Sequence, residues 1–333
     1  MIYILKGYSF CFRHCLFSTA HRVPVFRAIL HRDIRLMGLT AEYSCTGDQL
    51  ATITLHSDQP FSLDHTLGCG QVFRWHLTTD GWWHGVVGDR VIKCRQEGDV
   101  LAFEGANAAF IRHYFALDLA LDEILGAIDR DPFIHAAIER CRGLRLVRQP
   151  PWECLCSYIC ATNSNIPMIR RRIATIAQQF GTPIMFEGKT FYSFPAPNAI
   201  SSALGGCKSL EACRLGYRTP YVFDTACEIA DVKQWEETIT ALPYEDARRE
   251  LMKLSGIGPK AADCVLLFAF QKHEAFPVDV WIRRIMRDNY IRTLSNDSAL
   301  TGWEYDTIRR FARRHFGEYC GYAQEYLYAA REG

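Results

Sequence analysis

The chain has 333 residues, enough for two or three ordinary domains, and 49% of them are hydrophobic, as expected of a globular protein with a core. Its net charge of +1 excludes binding of nucleic acid through bulk charge, so any anion site in its body must be local. No apolar run approaches the roughly 18 residues that a membrane-spanning helix needs. The 14 cysteines are scattered, and Cys154, Cys156 and Cys160 sit in an apolar helical run, which suits buried free thiols in a reducing compartment better than disulfides.

Residues 1–36 hold six basic residues (Lys6, Arg13, Arg22, Arg27, Arg32, Arg35) against one acid, Asp33; that local +5 leaves −4 for the remainder of a +1 chain. The segment lacks periodicity and ends just before Met37. It reads as a non-structural extension, either an organelle-targeting peptide or a stretch upstream of the true start at Met37, with the second preferred. Residues 41–147 read as a small, β-rich N-terminal domain with helices. "VFRWHL" and "GWWHGVV" flank Asp80-Gly81, a hairpin signal because that pair accepts positive φ, and "VIKCRQ" and "VLAFEG" continue the strands. After Asn107 the spacing turns helical in "AAFIRHYFAL", "LDEILGAI" and "PFIHAAIERC". Residues 148–333 read as almost wholly helical, with helices over Trp152–Ala161, Ile166–Phe180, Tyr221–Ala230, Tyr244–Leu254, Pro259–Phe270, Val280–Tyr290, Tyr305–His315 and Tyr319–Ala330. The fold class is therefore α+β. No internal repeat is present, and no Cys/His spacing is convincing for zinc.

Within the helical part, "LSGIGPK" (254–260) has two glycines two apart, then a lysine opening an apolar helix. Gly256 and Gly258 let the backbone turn tightly and expose N–H groups at a helix N-terminus, a grip for phosphate that needs no net positive charge. Nineteen residues beyond Lys260, "FPVDVWIRRIM" places Asp279 where it first of all caps a helix. Turn, lysine, helix and Pro-Val-Asp together resemble the helix-hairpin-helix DNA glycosylase superfamily.

Four further segments narrow the likeness to the 8-oxoguanine DNA glycosylase/lyase family: "GCGQVFRWH" (68–76), "ATNSNI" (161–166), "LGYR" (215–218) and "YAQEYLY" (322–328). The resemblance covers roughly residues 41–333. It implies a base-excision repair enzyme that flips an oxidised guanine out of double-stranded DNA, expels it through attack of Lys260 on the sugar C1′, and β-eliminates the 3′ phosphate from the Schiff base. A lysine amine attacks only when neutral, so its proton must be removed or disfavoured. Asp279 would stabilise positive charge on the sugar or assist deprotonation. Cys264, one turn after Lys260, and Tyr328 would sandwich the purine, and Gln324 would read its Watson–Crick edge. The carbonyl of Gly70 would accept the N7 hydrogen that only the lesion carries. Asn163 and Tyr217 would fill the vacated stack, and Arg218 would bond the orphaned base.

The resemblance also implies no cofactor, no metal, a monomer and no membrane partner. The compartment would be cytoplasmic or nucleoid-associated in a prokaryote and nuclear or mitochondrial in a eukaryote. Ser255 departs from the proline common in the turn. Met168 stands where eukaryotic members carry an arginine that reads the opposite cytosine, and Trp281 where they carry a histidine, which implies a bacterial- or archaeal-type branch. Only Cys320 follows Cys264, so the four-cysteine cluster of endonuclease III-like enzymes for oxidised pyrimidines is excluded. Lys260 argues against glycosylases for alkylated bases, and Lys260 with Asp279 against a non-catalytic DNA-binding module.

Overall fold

A computed structural model describes residues 50–56, 59–294 and 299–331; the proposed extension, residues 1–36, lies outside them. The N-terminal part is a five-stranded antiparallel sheet of β1 (Ala51–Thr54), β2 (Trp75–Leu77), β3 (Trp83–Val87), β4 (Arg90–Glu97) and β5 (Val100–Glu104), in the order β1-β5-β4-β3-β2. Helix α1 (Leu63–Gly68) interrupts the sequence between β1 and β2, which the β-rich reading missed. The β2–β3 turn forms at Asp80-Gly81 as expected, with Gly81 at φ +81°. Register sets Trp83 against Cys94 and Cys94 against Phe103, all buried, and Trp75 lies over Gly85, where any side chain would strike the indole. The strand over "VFRWHL" begins only at Trp75.

Helices follow in chain order: α2 (Ala108–Tyr114), α3 (Leu121–Ile128), α4 (Pro132–Arg140), α5 (Pro151–Ala161) and α6 (Ile166–Phe180). A hairpin of β6 (Pro183–Phe186) and β7 (Lys189–Tyr192) intervenes, then α7 (Pro197–Ser201) and two short 3₁₀ turns, Gly206–Cys213 and Gly216–Arg218. The remainder is α8 (Thr219–Ala230), α9 (Trp235–Ala241), α10 (Tyr244–Leu251), α11 (Pro259–Phe268), α12 (Val280–Asn289), α13 (Gly302–Phe316) and α14 (Cys320–Ala329). Most starts have a local cause. Asn165, Asp279 and Thr301 cap α6, α12 and α13 with side-chain oxygens, and Thr301 forms a reciprocal box with Glu304.

Two apolar cores result. The smaller joins the sheet to α1 and α2 through Trp75, Ile92, Phe103 and Phe115. The larger fills the helical part, and it includes Leu121, Ile124, Ile134 and Ile138 from α3 and α4. The division of the chain at residue 147 is a proposal about folding units; the apolar packing crosses it, because α14 lies against both α3 and α4. The cysteines among the described residues are free thiols, most of them buried, and among those residues no helix is long and apolar enough to cross a membrane.

Candidate active site

A cleft of about 810 Å³ opens between the turn before α11, the α5–α6 turn, the Cys69–Gly70 bend and α14. It gathers nine of the residues singled out above: Gly70, Asn163, Gly256, Gly258, Lys260, Cys264, Asp279, Gln324 and Tyr328. Tyr217 and Arg218 stand behind the α5–α6 turn instead.

The α10–α11 turn is held by glycine for two different reasons. Gly256 has φ +78°, and a Cβ there would lie 2.6 Å from the Cβ of Tyr221. Gly258, the N-cap of α11, has ordinary extended backbone, and a Cβ would meet nothing within 4 Å. Its bareness leaves the first N–H groups of α11 approachable from the cleft, where a phosphate oxygen would find unpaired donors and the positive end of the helix. Pro259 at the first helical position removes a donor that would have been unpaired anyway.

Lys260 is half-buried, and its ammonium sits 5.0 Å from the centre of the Tyr158 ring. Among the described residues no carboxylate lies within ion-pairing distance of it, so no salt bridge must break before the amine reacts. Tyr158 is in turn stacked on Phe268, with ring centres 5.9 Å apart. Rotation of α11 about its axis is fixed by Asp263, three residues on. Its carboxylate is fully buried and accepts from the Tyr244 and Tyr305 hydroxyls at 2.6 Å each and from Arg248 Nε at 2.9 Å. Cys264 then faces the cleft one turn from Lys260, and burial pushes its thiol up to about 12, so it is a neutral, polarizable wall.

Asp279 does cap α12: Oδ1 accepts from Trp281 N at 3.0 Å and Ile282 N at 2.8 Å. The carboxylate is half-buried and faces the same cleft as Lys260. From α14 come Gln324, Glu325 and Tyr328, with Arg331 just beyond; the Arg331 guanidinium lies 3.7 Å from the centre of the Tyr328 ring. Gln324 is 5% exposed, and its Oε1 has no partner among the described residues. Gly70 has φ +103°, and its Cβ position lies 3.2 Å from Ile166 Cδ1 and 3.9 Å from Tyr328 Cε1, so its backbone closes on the ring that would stack a base.

Gln71, next to Gly70, lines the cleft and is also a staple. Its amide donates to the carbonyls of Thr66 (2.8 Å) and Arg145 (2.9 Å), its Oε1 accepts from Val147 N (3.0 Å), and its own carbonyl accepts from Gln149 (2.7 Å). These bonds lock the Gly70 bend. Arg218 likewise turns inward. Its guanidinium donates to the carbonyls of Thr162 and Asn163 and is 4% exposed, so it braces the Asn163 turn instead of presenting a free donor to a base. Asn163 holds φ +48°, its amide is 3.5 Å from the Tyr217 hydroxyl, and Tyr217 is 52% exposed. Sequence reasoning missed Tyr158, Asp263, Glu325 and Arg331. No group of three or more metal-ligating side chains exists among the described residues.

With this geometry in place, likeness to known proteins is informative. Residues 53–155 match the family described as 8-oxoguanine DNA glycosylase, N-terminal domain. The chain is 34% identical to a probable N-glycosylase/DNA lyase of Methanothermobacter thermautotrophicus over 243 residues, 67% of this chain and 75% of that one. It is 29% identical to an N-glycosylase/DNA lyase of Saccharomyces cerevisiae over 278 residues, 73% of each. Among solved structures, the 8-oxoguanine glycosylase/lyase of Clostridium acetobutylicum in complex with double-stranded DNA containing cytosine opposite the lesion is 31% identical. It superposes with a TM-score of 0.75, over 85% of this chain and 97% of that one. The chain belongs to the N-glycosylase/DNA lyase family that includes the 8-oxoguanine glycosylases.

Proposed function

We propose that this protein excises 8-oxoguanine from duplex DNA and then cleaves the strand at the emptied site. The Lys260 amine attacks C1′ of the extruded nucleotide, the C1′–N9 bond breaks, and the purine leaves with the electron pair. Opening of the sugar ring gives an imine between Nζ and C1′. Removal of a C2′ proton then expels the 3′ phosphate. Asp279, beside the reacting carbon, stabilises positive charge that develops on the sugar, an electrostatic contribution that a partly desolvated cleft strengthens. Cys264 and Tyr328 enclose the purine, Gln324 offers a free Oε1 to its N–H groups, and the Gly70 carbonyl takes the N7 hydrogen. Gly256 and Gly258 hold the DNA backbone, and Asn163 and Tyr217 occupy the vacated stack. The enzyme acts as a monomer and without a cofactor, in whichever compartment holds the DNA.

The observation that carries this reading is the amine of Lys260, in no ion pair among the described residues and sharing one cleft with Asp279 and with the walls of Cys264 and Tyr328. Borohydride reduction tests it. Wild type is expected to be trapped covalently on 8-oxoguanine duplexes and Lys260→Gln is not; equal trapping of both would reject the assignment.

A further inference from the structure

Glu325 is a cleft carboxyl for which the chemistry above has no use. It lies between Gln324 and the turn that carries Tyr328, on the stripe of α14 that lines the cleft, yet it is 3% exposed. Among the described residues its Oε1 has no hydrogen-bond partner, and no arginine or lysine pairs with it. A buried carboxyl kept only for packing would be costly; such groups are ordinarily paired or replaced by an apolar side chain. Its neighbour across the cleft wall is the thiol of Cys69, the residue before Gly70.

We propose that Glu325 is a further specificity-determining residue, whose buried carboxyl group donates a hydrogen bond to the C8 carbonyl oxygen of the oxidised purine on the Gly70 side of the cleft. The inference rests on the function proposed above. Only a protonated carboxyl has an O–H to donate, and the surroundings favour that form. Burial is the dominant cause, and it pushes Glu325 up to about 7. The Cys69 thiol, Arg331 and Lys260 oppose this, and Asp279 adds to it. The other titratable groups facing Glu325 are Cys141 at the end of α4, Tyr158 on α5, Cys264 on α11 and Tyr328 on α14. Burial raises all four, so they stay neutral through this range. Guanine has no oxygen on C8, so the contact is open to the lesion alone. Together with the Gly70 carbonyl, which takes the N7 hydrogen, it reads both atoms that oxidation changes. When Glu325 ionises, the donor is lost and a carboxylate faces a carbonyl.

The test compares wild type, Glu325→Gln and Glu325→Ala in single-turnover excision of 8-oxoguanine from pH 6 to 8. Borohydride trapping on abasic duplexes, which hold no base, is run in parallel. Glutamine keeps a donor and never titrates. The ratio of wild-type to Glu325→Gln excision rates is expected to fall as pH rises through about 7. Glu325→Ala is expected to excise roughly tenfold more slowly at pH 6, the order of one lost hydrogen bond, while trapping on abasic DNA stays within about twofold. A wild-type excision rate in Glu325→Ala, or a constant ratio across the pH range, overturns the proposal. Failure of wild type itself to trap on abasic DNA would instead overturn the role of Lys260. Should the alanine variant not fold, as judged by its thermal melt, the glutamine ratio still decides.

Discussion

At Asp279 one side chain caps a helix and, in the function proposed above, also stabilises charge in the cleft. Oδ1 caps α12 through two backbone N–H groups, and the charge of the group faces the cleft. Asparagine caps a helix nearly as well as aspartate, so Asp279→Asn is expected to change stability by less than about 1 kcal/mol. Loss of the negative charge beside the sugar should slow excision by roughly a hundredfold or more. Chemical denaturation and single-turnover excision measured on the same variant separate the two tasks, and a parallel loss of both would show that the cap alone matters. Met168 poses the opposite problem, a position defined by what it lacks. It is 40% exposed, its N–H is taken by Asn165 Oδ1 at 3.0 Å, and Arg218 nearby is committed to the Thr162 and Asn163 carbonyls. A thioether makes apolar contact with any base and has little means to choose among them. Excision opposite the four bases should therefore differ little in wild type. In Met168→Arg it should favour cytosine by roughly ten- to a hundredfold, the worth of one charged hydrogen bond. A strong cytosine preference already present in wild type and unchanged by the mutation would refute this.

At the scale of elements, the α10–α11 turn is the part that tolerates least change. Gly256→Ala must adopt φ +78° and push α8 away at Tyr221, so a loss of about 1–3 kcal/mol is expected, visible as a lowered Tm, together with weaker binding to undamaged duplex. An unchanged Tm would mean that the turn relaxes freely. This turn was legible in the amino-acid sequence because glycine and proline act locally. So was α6, whose ends at Ile166 and Phe180 are set by the Asn165 cap and by Gly181. The β6–β7 hairpin was not legible: its strands are half-exposed without clean alternation, and Lys93 of β4 secures it only in three dimensions, through Glu187 at 2.5 Å. Helix α9 was missed for a similar reason, since it begins after Gln234, a non-glycine residue at φ +58°. Within the site, residues whose role lies in their own chemistry and spacing (Lys260, Asp279, Gln324) were readable. Asp263 was not, because its partners come from α10 and α13, and Glu325 was not, because its burial depends on a bend some 250 residues earlier. Arg218 shows the converse: its residue type suggested a bond to the orphaned base, and in this structure its guanidinium donates to the Thr162 and Asn163 carbonyls.

For the molecule as a whole, two titratable groups that desolvation shifts strongly, Glu325 and His273, contribute opposing dependences of stability on pH. Glu325 is pushed up to about 7 from an ordinary 4.5, so between those values the folded chain keeps a proton that the unfolded chain has released. Stability from this group therefore falls as pH rises from about 4.5 to 7 and then levels; a displacement of that size corresponds to about 3 kcal/mol. His273 does the reverse. Burial, helped by the charge of Arg148, pushes it down to about 4 from 6.5, so between those values the unfolded chain takes up a proton that the folded chain refuses. Its contribution falls as pH drops from about 6.5 to 4, by a similar amount. Across the window where the two ranges overlap, these two slopes offset each other. Removing one exposes the other. Glu325→Gln is expected to exceed wild type by less than about 1 kcal/mol at pH 5 and by about 3 kcal/mol at pH 8, where wild type carries a buried carboxylate and the variant does not. The same variant should lose stability on acidification from pH 6.5 more steeply than wild type, because the His273 slope is then unopposed. Urea denaturation of both proteins at pH 5, 6.5 and 8 measures this directly. A difference between them that is constant across the three pH values would show that Glu325 does not change protonation on folding.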